Sequence, residues 1–438
     1  MGLDRSHRWA GVLIIALGSA AVAGERDRDD ERRHHGEEIS VQVGVRPYYL
    51  IDKLADGPLK HRLKQCRNIE FHKTAFSIGH RGGATLQFPE HTREDHLAGA
   101  RMGAGIQECD VTFTKDGELV CRHDECDLHT TTNILVTPLA EKCTHQFSPA
   151  EFDAAGNRTK AASALCCTSD LSVSEFKSLK GKMDASNPNA RTTQEYQGGT
   201  PNWRTDLFST GAEVLTHKES IELIRSLGNQ FTPEAKVFNP AAKTTPEQVF
   251  GSNNPRGKFL QKIIDEYKAA GVPAHDVWAQ SFFRDDIEYW IQNDPRFGRQ
   301  AVYLDDRYDT GTPKLDPLNP ATWVPSFQEL RSRGYQVIAP PTYVLVTTQN
   351  GTIVPSPYAR AARAAGLEII TWTLERSGRI NEEVIPSNDF YYQSVIPALK
   401  NDGDILVLLD VLARDVGIIG IFSDWAGTVT YYANCMGL

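Results

Sequence analysis

The residues able to do chemistry concentrate between positions 78 and 124. Gly79-His80-Arg81-Gly82-Gly83 follows directly on a short apolar run. In that place a histidine offers a proton carrier near neutral pH, and the arginine a fixed fork for a phosphate. The glycines leave room for close backbone approach. Glu108-Cys109-Asp110 lies inside a second apolar run. Side chains alternate along a strand, so the two carboxylates share a face. Two unpaired carboxylates are costly to bury, and a divalent cation with hard oxygen ligands removes that cost. A solvated strand face is the plainer reading, but flanking Ile106 and Val111 suggest that the other face is buried.

Asp116-Gly117 is a favoured two-residue hairpin turn. In that register Lys115 pairs with Glu118 and Asp110 falls opposite His123, which brings a second histidine to about 5 Å from the carboxylates. Thr232-Pro233-Glu234-Ala235-Lys236 supplies a third carboxylate, with Glu234 and Lys236 again on one face. Either Glu234 completes a metal site with Glu108 and Asp110 while Lys236 meets an anionic substrate, or the two form an ordinary ion pair. Two histidines, three carboxylates, an arginine and a lysine suit metal-assisted phosphodiester cleavage. The cation and Arg81 take up charge growing on phosphate oxygens; one histidine removes a proton from the attacking oxygen and the other protonates the leaving group.

These residues need strands to position them. Strand patterns occur at 76–79, 107–113, 119–122, 230–237, 277–282, 301–304, 335–339, 367–373 and 417–422, with helical patterns between them at 92–101, 220–227, 257–270, 284–292 and 357–365. The last helix stops at Gly366, an ordinary helix-terminating position. Alternating strands and helices predict a parallel sheet, and roughly eight such units predict a closed (β/α)8 TIM barrel, whose active site lies at the C-terminal ends of the strands. An open doubly wound sheet is the alternative, but it ordinarily carries a Gly-rich phosphate turn after its first strand, and no clean one occurs here. Residues 124–216 break the rhythm and read as a Cys-rich insertion at the active-site end.

The whole chain sets the setting. Its 438 residues are 40% hydrophobic and 24% charged, with a net charge of −9. No long basic block is present, which excludes nucleic acid as the expected partner and leaves a small-molecule phosphodiester. Residues 1–23 read as a signal peptide: Arg5 and Arg8, a short apolar core, then Ala21-Val22-Ala23. That core is too short to span a bilayer, and no other apolar stretch is long enough, so no stable membrane span is expected. The mature protein is expected to be secreted or periplasmic. Residues 24–70 form a charged linker and N-terminal lead-in, and 71–438 the barrel. Eight cysteines in an exported chain imply disulfides, with some pairing among Cys126, Cys143, Cys166 and Cys167. A zinc site is the competing reading, and it lacks a paired C-x-x-C spacing. The oligomeric state is not legible.

Taken together, Gly79-His80-Arg81-Gly82, Pro89-Glu90-His91-Thr92, Glu108-Cys109-Asp110-Val111, His123-Asp124, Glu234-Ala235-Lys236, Thr371-Trp372-Thr373 and Gly420-Ile421-Phe422-Ser423-Asp424 resemble, in order, the glycerophosphodiester phosphodiesterases. The resemblance implies a (β/α)8 barrel, a bound Ca2+ or Mg2+, and hydrolysis of glycerophosphodiesters such as glycerophosphocholine to glycerol 3-phosphate and an alcohol. It implies Glu108, Asp110 and Glu234 as metal ligands, His80 and His123 as the acid/base pair, and Arg81 and Lys236 on the phosphate. Glu90 would support Arg81 or the metal, and Trp372 either lines the pocket against the glycerol or belongs to the barrel core. The family's usual mechanism has the glycerol 2-hydroxyl attack phosphorus, after which water opens the cyclic phosphate. Two departures stand out: His91 where the family usually has Asn, and the long Cys-rich insertion. An exported phospholipase of C or D type, acting on intact lipids, is the nearest alternative and predicts an exposed apolar rim. A non-catalytic barrel would have lost a ligand or a histidine, and this chain keeps all five.

Overall fold

Alternate apolar positions along nine strands decide the architecture of this chain, seen here in a computed structural model that describes residues 40–208 and 211–438. The expected signal peptide, 1–23, and residues 24–39 of the expected linker and lead-in lie outside the described residues. The strands are β1 Thr74–Gly79, β2 Ala104–Phe113, β3 Leu119–Cys121, β4 Gln230–Ala235, β5 Gln280–Ser281, β6 Val302–Leu304, β7 Val337–Ala339, β8 Glu368–Leu374 and β9 Gly420–Ser423. All but β3 run parallel and close on themselves, in the order β1-β9-β8-β7-β6-β5-β4-β2, with β1 pairing β2. This is the expected (β/α)8 barrel. Ile78, Ile106, Val302, Leu304, Val337, Ala339, Ile370 and Phe422 fill its interior. Two residues beyond Ile78, Ile106 and Phe422, toward the C-terminal mouth, stand His80, Glu108 and Asp424 of the site.

The helices return outside the sheet and bury their apolar faces on it. They include α3 Arg93–Arg101, α4 His217–Ser226, α5 Pro255–Ala269, α6 Arg284–Asn293 and α7 Pro357–Ala364. Thr92 caps α3 by accepting from the Asp95 N–H, and Thr216 with Glu219 forms a capping box on α4. Two earlier helices, α1 Arg46–Lys53 and α2 Pro58–Gln65, contribute Leu50, Ile51 and Leu63 to the same core. A Cys66–Cys435 disulfide ties this lead-in to the last helix, α8 Ala426–Met436. Among the described residues, no helix is long and apolar enough to cross a membrane.

All eight cysteines pair, as Cys66–Cys435, Cys109–Cys121, Cys126–Cys167 and Cys143–Cys166. The last two staple the insertion, which has its own apolar cluster around Leu128, Ile134, Phe176 and Tyr196. Its strands are short antiparallel ribbons, such as His145–Ser148 against Ser163–Leu165. Ribbons that brief show no sustained period in sequence.

One expectation is corrected. The hairpin from β2 to β3 is not a two-residue turn. The Gly117 N–H donates to Thr114 O and the Thr114 N–H to Glu118 O, with Gly117 at φ +81°, so the loop is three residues long. The register is therefore Val111 with Cys121 and Thr112 with Val120, which sets Asp110 beside Arg122 rather than opposite His123.

Candidate active site

Parallel register assembles the acidic cluster. Thr232 aligns with Glu108, Glu234 with Asp110, and Glu234 again with Gln280 on the other side. Adjacent strands lie about 4.8 Å apart, so carboxylates on the inward face of β2 and β4 must meet. Glu108, Asp110 and Glu234 each bring an oxygen within 4.8 Å of the others, all three buried. Burial, then Asp110, then Glu234 push the Glu108 carboxyl well above the usual range. Burial raises Glu234 to about 7, although Lys236 opposes it. The Lys236 Nζ donates to Glu234 Oε1 at 2.6 Å, and burial, which would lower its pKa, is outweighed by Glu234 and Asp110. The ion pair expected as one alternative is thus present within the cluster named by the other.

The cluster's remaining bonds leave room for a ligand. Glu108 accepts from the Arg81 N–H at 2.8 Å and from Gln280 Nε2 at 2.7 Å. Asp110 Oδ2 bonds His91 Nε2 at 2.7 Å, while its Oδ1 is buried with no protein partner among the described residues. Three hard oxygen donors with an orphaned carboxylate oxygen fit a divalent cation.

The loop after β1 turns sharply. Arg81 takes φ +52° and Gly82 φ +121°; a Cβ on Gly82 would stand 2.2 Å from Asp95 Oδ2, so only glycine fits. This turn aims His80 and Arg81 across the mouth. His80 Nε2 lies 3.8 Å from Glu108 Oε2, while its Nδ1 lies 3.0 Å from Asp424 Oδ1 at the end of β9. Asp424 also accepts from Thr85 Oγ1 at 2.6 Å and from Arg376 Nη1 at 3.2 Å. Burial alone would raise Asp424, yet His80 and Arg376 hold it well below the usual carboxylate range. Arg81 Nη1 donates to Glu90 Oε2 at 2.8 Å, so Glu90 sits on Arg81 and not in the acidic cluster.

His123 follows β3, half-buried. Despite the shifted register it reaches the same mouth: burial lowers its pKa well below 6.5, and the nearby charges of Arg81, Lys236, Arg376 and His80 lower it further. Burial lowers His80 as well, although Asp424 opposes it. Trp372 is half-buried among Phe282, Phe390 and Tyr391, and its Nε1 donates to Ala339 O at 2.8 Å. It closes the top of the barrel interior at the rim of the site.

Several members of the site carried no assigned role in sequence. Asp424 ends a motif that was visible, but nothing in the spacing named His80 as its partner. Gln280 lies on a two-residue strand. Asp184 and Arg204 come from the insertion, and Arg376 from the turn after β8. Asp184 Oδ2 lies 3.9 Å from Arg81 Nη1 and 3.6 Å from Arg376 Nη2.

Comparison with known proteins agrees with this geometry. Residues 80–428 match the sequence profile of the glycerophosphoryl diester phosphodiesterase family. The chain is 43% identical over 258 residues to an "Extracellular protein" of Arthroderma benhamiae, covering 58% of this chain and 100% of that one. It is 22% identical over 408 residues to glycerophosphodiester phosphodiesterase GDPD6 of Arabidopsis thaliana, covering 90% and 93%. A crystal structure from Silicibacter pomeroyi, named for the glycerophosphoryl diester phosphodiesterases, superposes with a TM-score of 0.51 at 17% identity, covering 86% of this chain and 98% of that one; it shares the fold. With the barrel, the buried acidic cluster and the match running from His80 to the last helix, the chain belongs to the glycerophosphoryl diester phosphodiesterase family and is an enzyme of that class.

Proposed function

We propose that this protein is an exported, metal-dependent hydrolase that converts glycerophosphodiesters to glycerol 3-phosphate and an alcohol. The observation that carries the reading is the convergence of Glu108, Asp110 and Glu234 with His80 and Arg81 at the mouth of the barrel. In this reading Glu108, Asp110 and Glu234 hold a Ca2+ or Mg2+. Bound there, the cation would polarise a phosphoryl oxygen and lower the cost of charge in the transition state. Arg81, oriented by Glu90, and Lys236 hold the phosphate, and Trp372 flanks the bound glycerol.

His80 and His123 share the proton transfers, one entering the first step neutral and the other protonated. One takes the proton from the glycerol 2-hydroxyl as its oxygen attacks phosphorus, and the other gives a proton to the departing alcohol oxygen. The roles then reverse: water attacks the cyclic phosphate, loses its proton to the second imidazole, and the 2-oxygen regains one from the first. Four disulfides fit folding in an oxidising compartment, which supports export. The test is release of free glycerol 3-phosphate from a panel of glycerophosphodiesters, with and without chelator. Metal-independent release, or normal cleavage of a 2-deoxyglycerol diester, overturns the mechanism.

One observation favours a second reading, action on intact phospholipids. Trp203, Leu207 and Phe208 of the insertion are exposed, on the stretch that includes Arg204. Hydrolysis of phospholipid vesicles at a rate comparable to that of soluble diesters would select it.

A further inference from the structure

Asp184 occupies an unusual position for a carboxylate. A phosphate held by Arg81 has Asp184 as a neighbour, because Asp184 Oδ2 stands 3.9 Å from Arg81 Nη1 and 3.6 Å from Arg376 Nη2. It accepts no hydrogen bond from either guanidinium, and its side chain is 28% exposed. The stretch carrying it is firmly held. Lys182 Nζ donates to the carbonyls of Thr130, Met183 and Ala185 at 2.6, 2.6 and 2.8 Å. The N–H groups of Lys182 and Ala185 bond Thr131 O and Thr130 O, and Met183 is buried. Asp184 is therefore a fixed negative charge at the edge of the pocket, supplied by the insertion, and not the tip of a swinging lid.

Charge is what changes at phosphorus during this reaction. A phosphodiester carries one negative charge. A phosphomonoester near neutral pH carries about −1.5 to −2. A fixed carboxylate a few ångströms away repels the product more than the substrate.

We propose that Asp184 is the charge-selecting residue of this site: it lets the Arg81 pocket hold a monoanionic diester and weakens its hold on the dianionic monoester, so that glycerol 3-phosphate leaves. The proposal rests on the functional reading above, which puts the phosphate on Arg81. Asp184 acts on affinity and not on the proton transfers. A purely structural ion pair would instead, on removal, loosen Arg81 and weaken both ligands together.

The experiment compares wild type, Asp184→Asn and Asp184→Glu at pH 8 and fixed low ionic strength. It measures KM for a soluble glycerophosphodiester, Ki for glycerol 3-phosphate, and glycerol 3-phosphate affinity by calorimetry. Asp184→Asn is expected to tighten product binding by about tenfold, the order of one unit charge removed from a partly exposed pocket, and to lower KM by clearly less. Asp184→Glu should restore the wild-type ratio, and salt should shrink the difference. An unchanged Ki, a weaker product affinity, or equal factors on KM and Ki overturn the proposal. Melting temperatures separate loss of fold from loss of selection. A wild-type enzyme that hydrolyses no glycerophosphodiester overturns the functional reading itself, by a different measurement, and this inference with it.

Discussion

His80 Nδ1 lies 3.0 Å from Asp424 Oδ1, and the two side chains are 11% and 0% exposed. Asp424 stays ionised in this pair, so it fixes the tautomer: Nδ1 carries the proton and Nε2 turns its lone pair toward the acidic cluster. Asp424→Ala should therefore lower kcat by roughly 10- to 100-fold with little change in KM. Asp424→Asn, which keeps an acceptor, should lose less. In a His80→Ala background the Asp424→Ala change should cost almost nothing more. Equal losses in both backgrounds would show that Asp424 acts apart from His80.

His80 and His123 are the pair through which protons are expected to pass. Each single alanine variant should lower kcat by about 10²- to 10⁴-fold, with metal affinity and melting temperature largely kept. The double variant should be little worse than the poorer single one, because the two groups act as a unit. A single variant with wild-type kcat refutes the assignment.

The barrel was legible because its strands are short apolar runs, and the observed β1 to β9 fall within three residues of the expected ends. The acidic cluster was legible too. Glu108, Asp110 and Glu234 are charges at alternate positions of apolar strands, and parallel register does the rest. The hairpin misled because Asp116-Gly117 suits both a two-residue turn and the end of a three-residue loop, and one residue of slip exchanges Arg122 for His123 beside Asp110. Asp184 and Arg204 were hidden for another reason. They lie in a region ordered by disulfides and brief ribbons, whose approach to the charges of Arg81 and Asp424 follows no local period.

Removal of divalent cation should leave Glu108, Asp110 and Glu234 facing one another without compensation. EDTA is expected to abolish activity and lower the melting temperature, and Ca2+ or Mg2+ to restore both. Asp110→Asn should weaken the cation-induced melting shift without unfolding the barrel. His91, bonded to Asp110 Oδ2 at 2.7 Å, orients that carboxylate. His91→Asn keeps a side chain that tolerates the positive φ of 56° but shortens the reach. Cation affinity should fall by roughly 10- to 100-fold, read by titrating the melting shift. An unaltered titration would separate His91 from the cation.

Asp127, at the base of the insertion, gives a pH dependence of known sign. Burial is the main cause that raises its carboxyl from 3.8 to about 7, against the pull of Arg122. Its Oδ1 accepts from Thr131 Oγ1 and its Oδ2 from the Asp124 N–H, both at 3.1 Å. With the folded pKa raised, the folded state binds the proton more tightly than the unfolded chain. The stability it contributes is full below pH 3.8 and is lost as pH rises through about 7. Asp127→Asn removes this titration while altering the two bonds by a constant amount. The melting temperature of Asp127→Asn minus that of wild type should therefore rise steadily between about pH 4 and pH 7 and level off above it, whatever its value at pH 4. A difference that is flat across this range, or that falls, contradicts a neutral, buried Asp127.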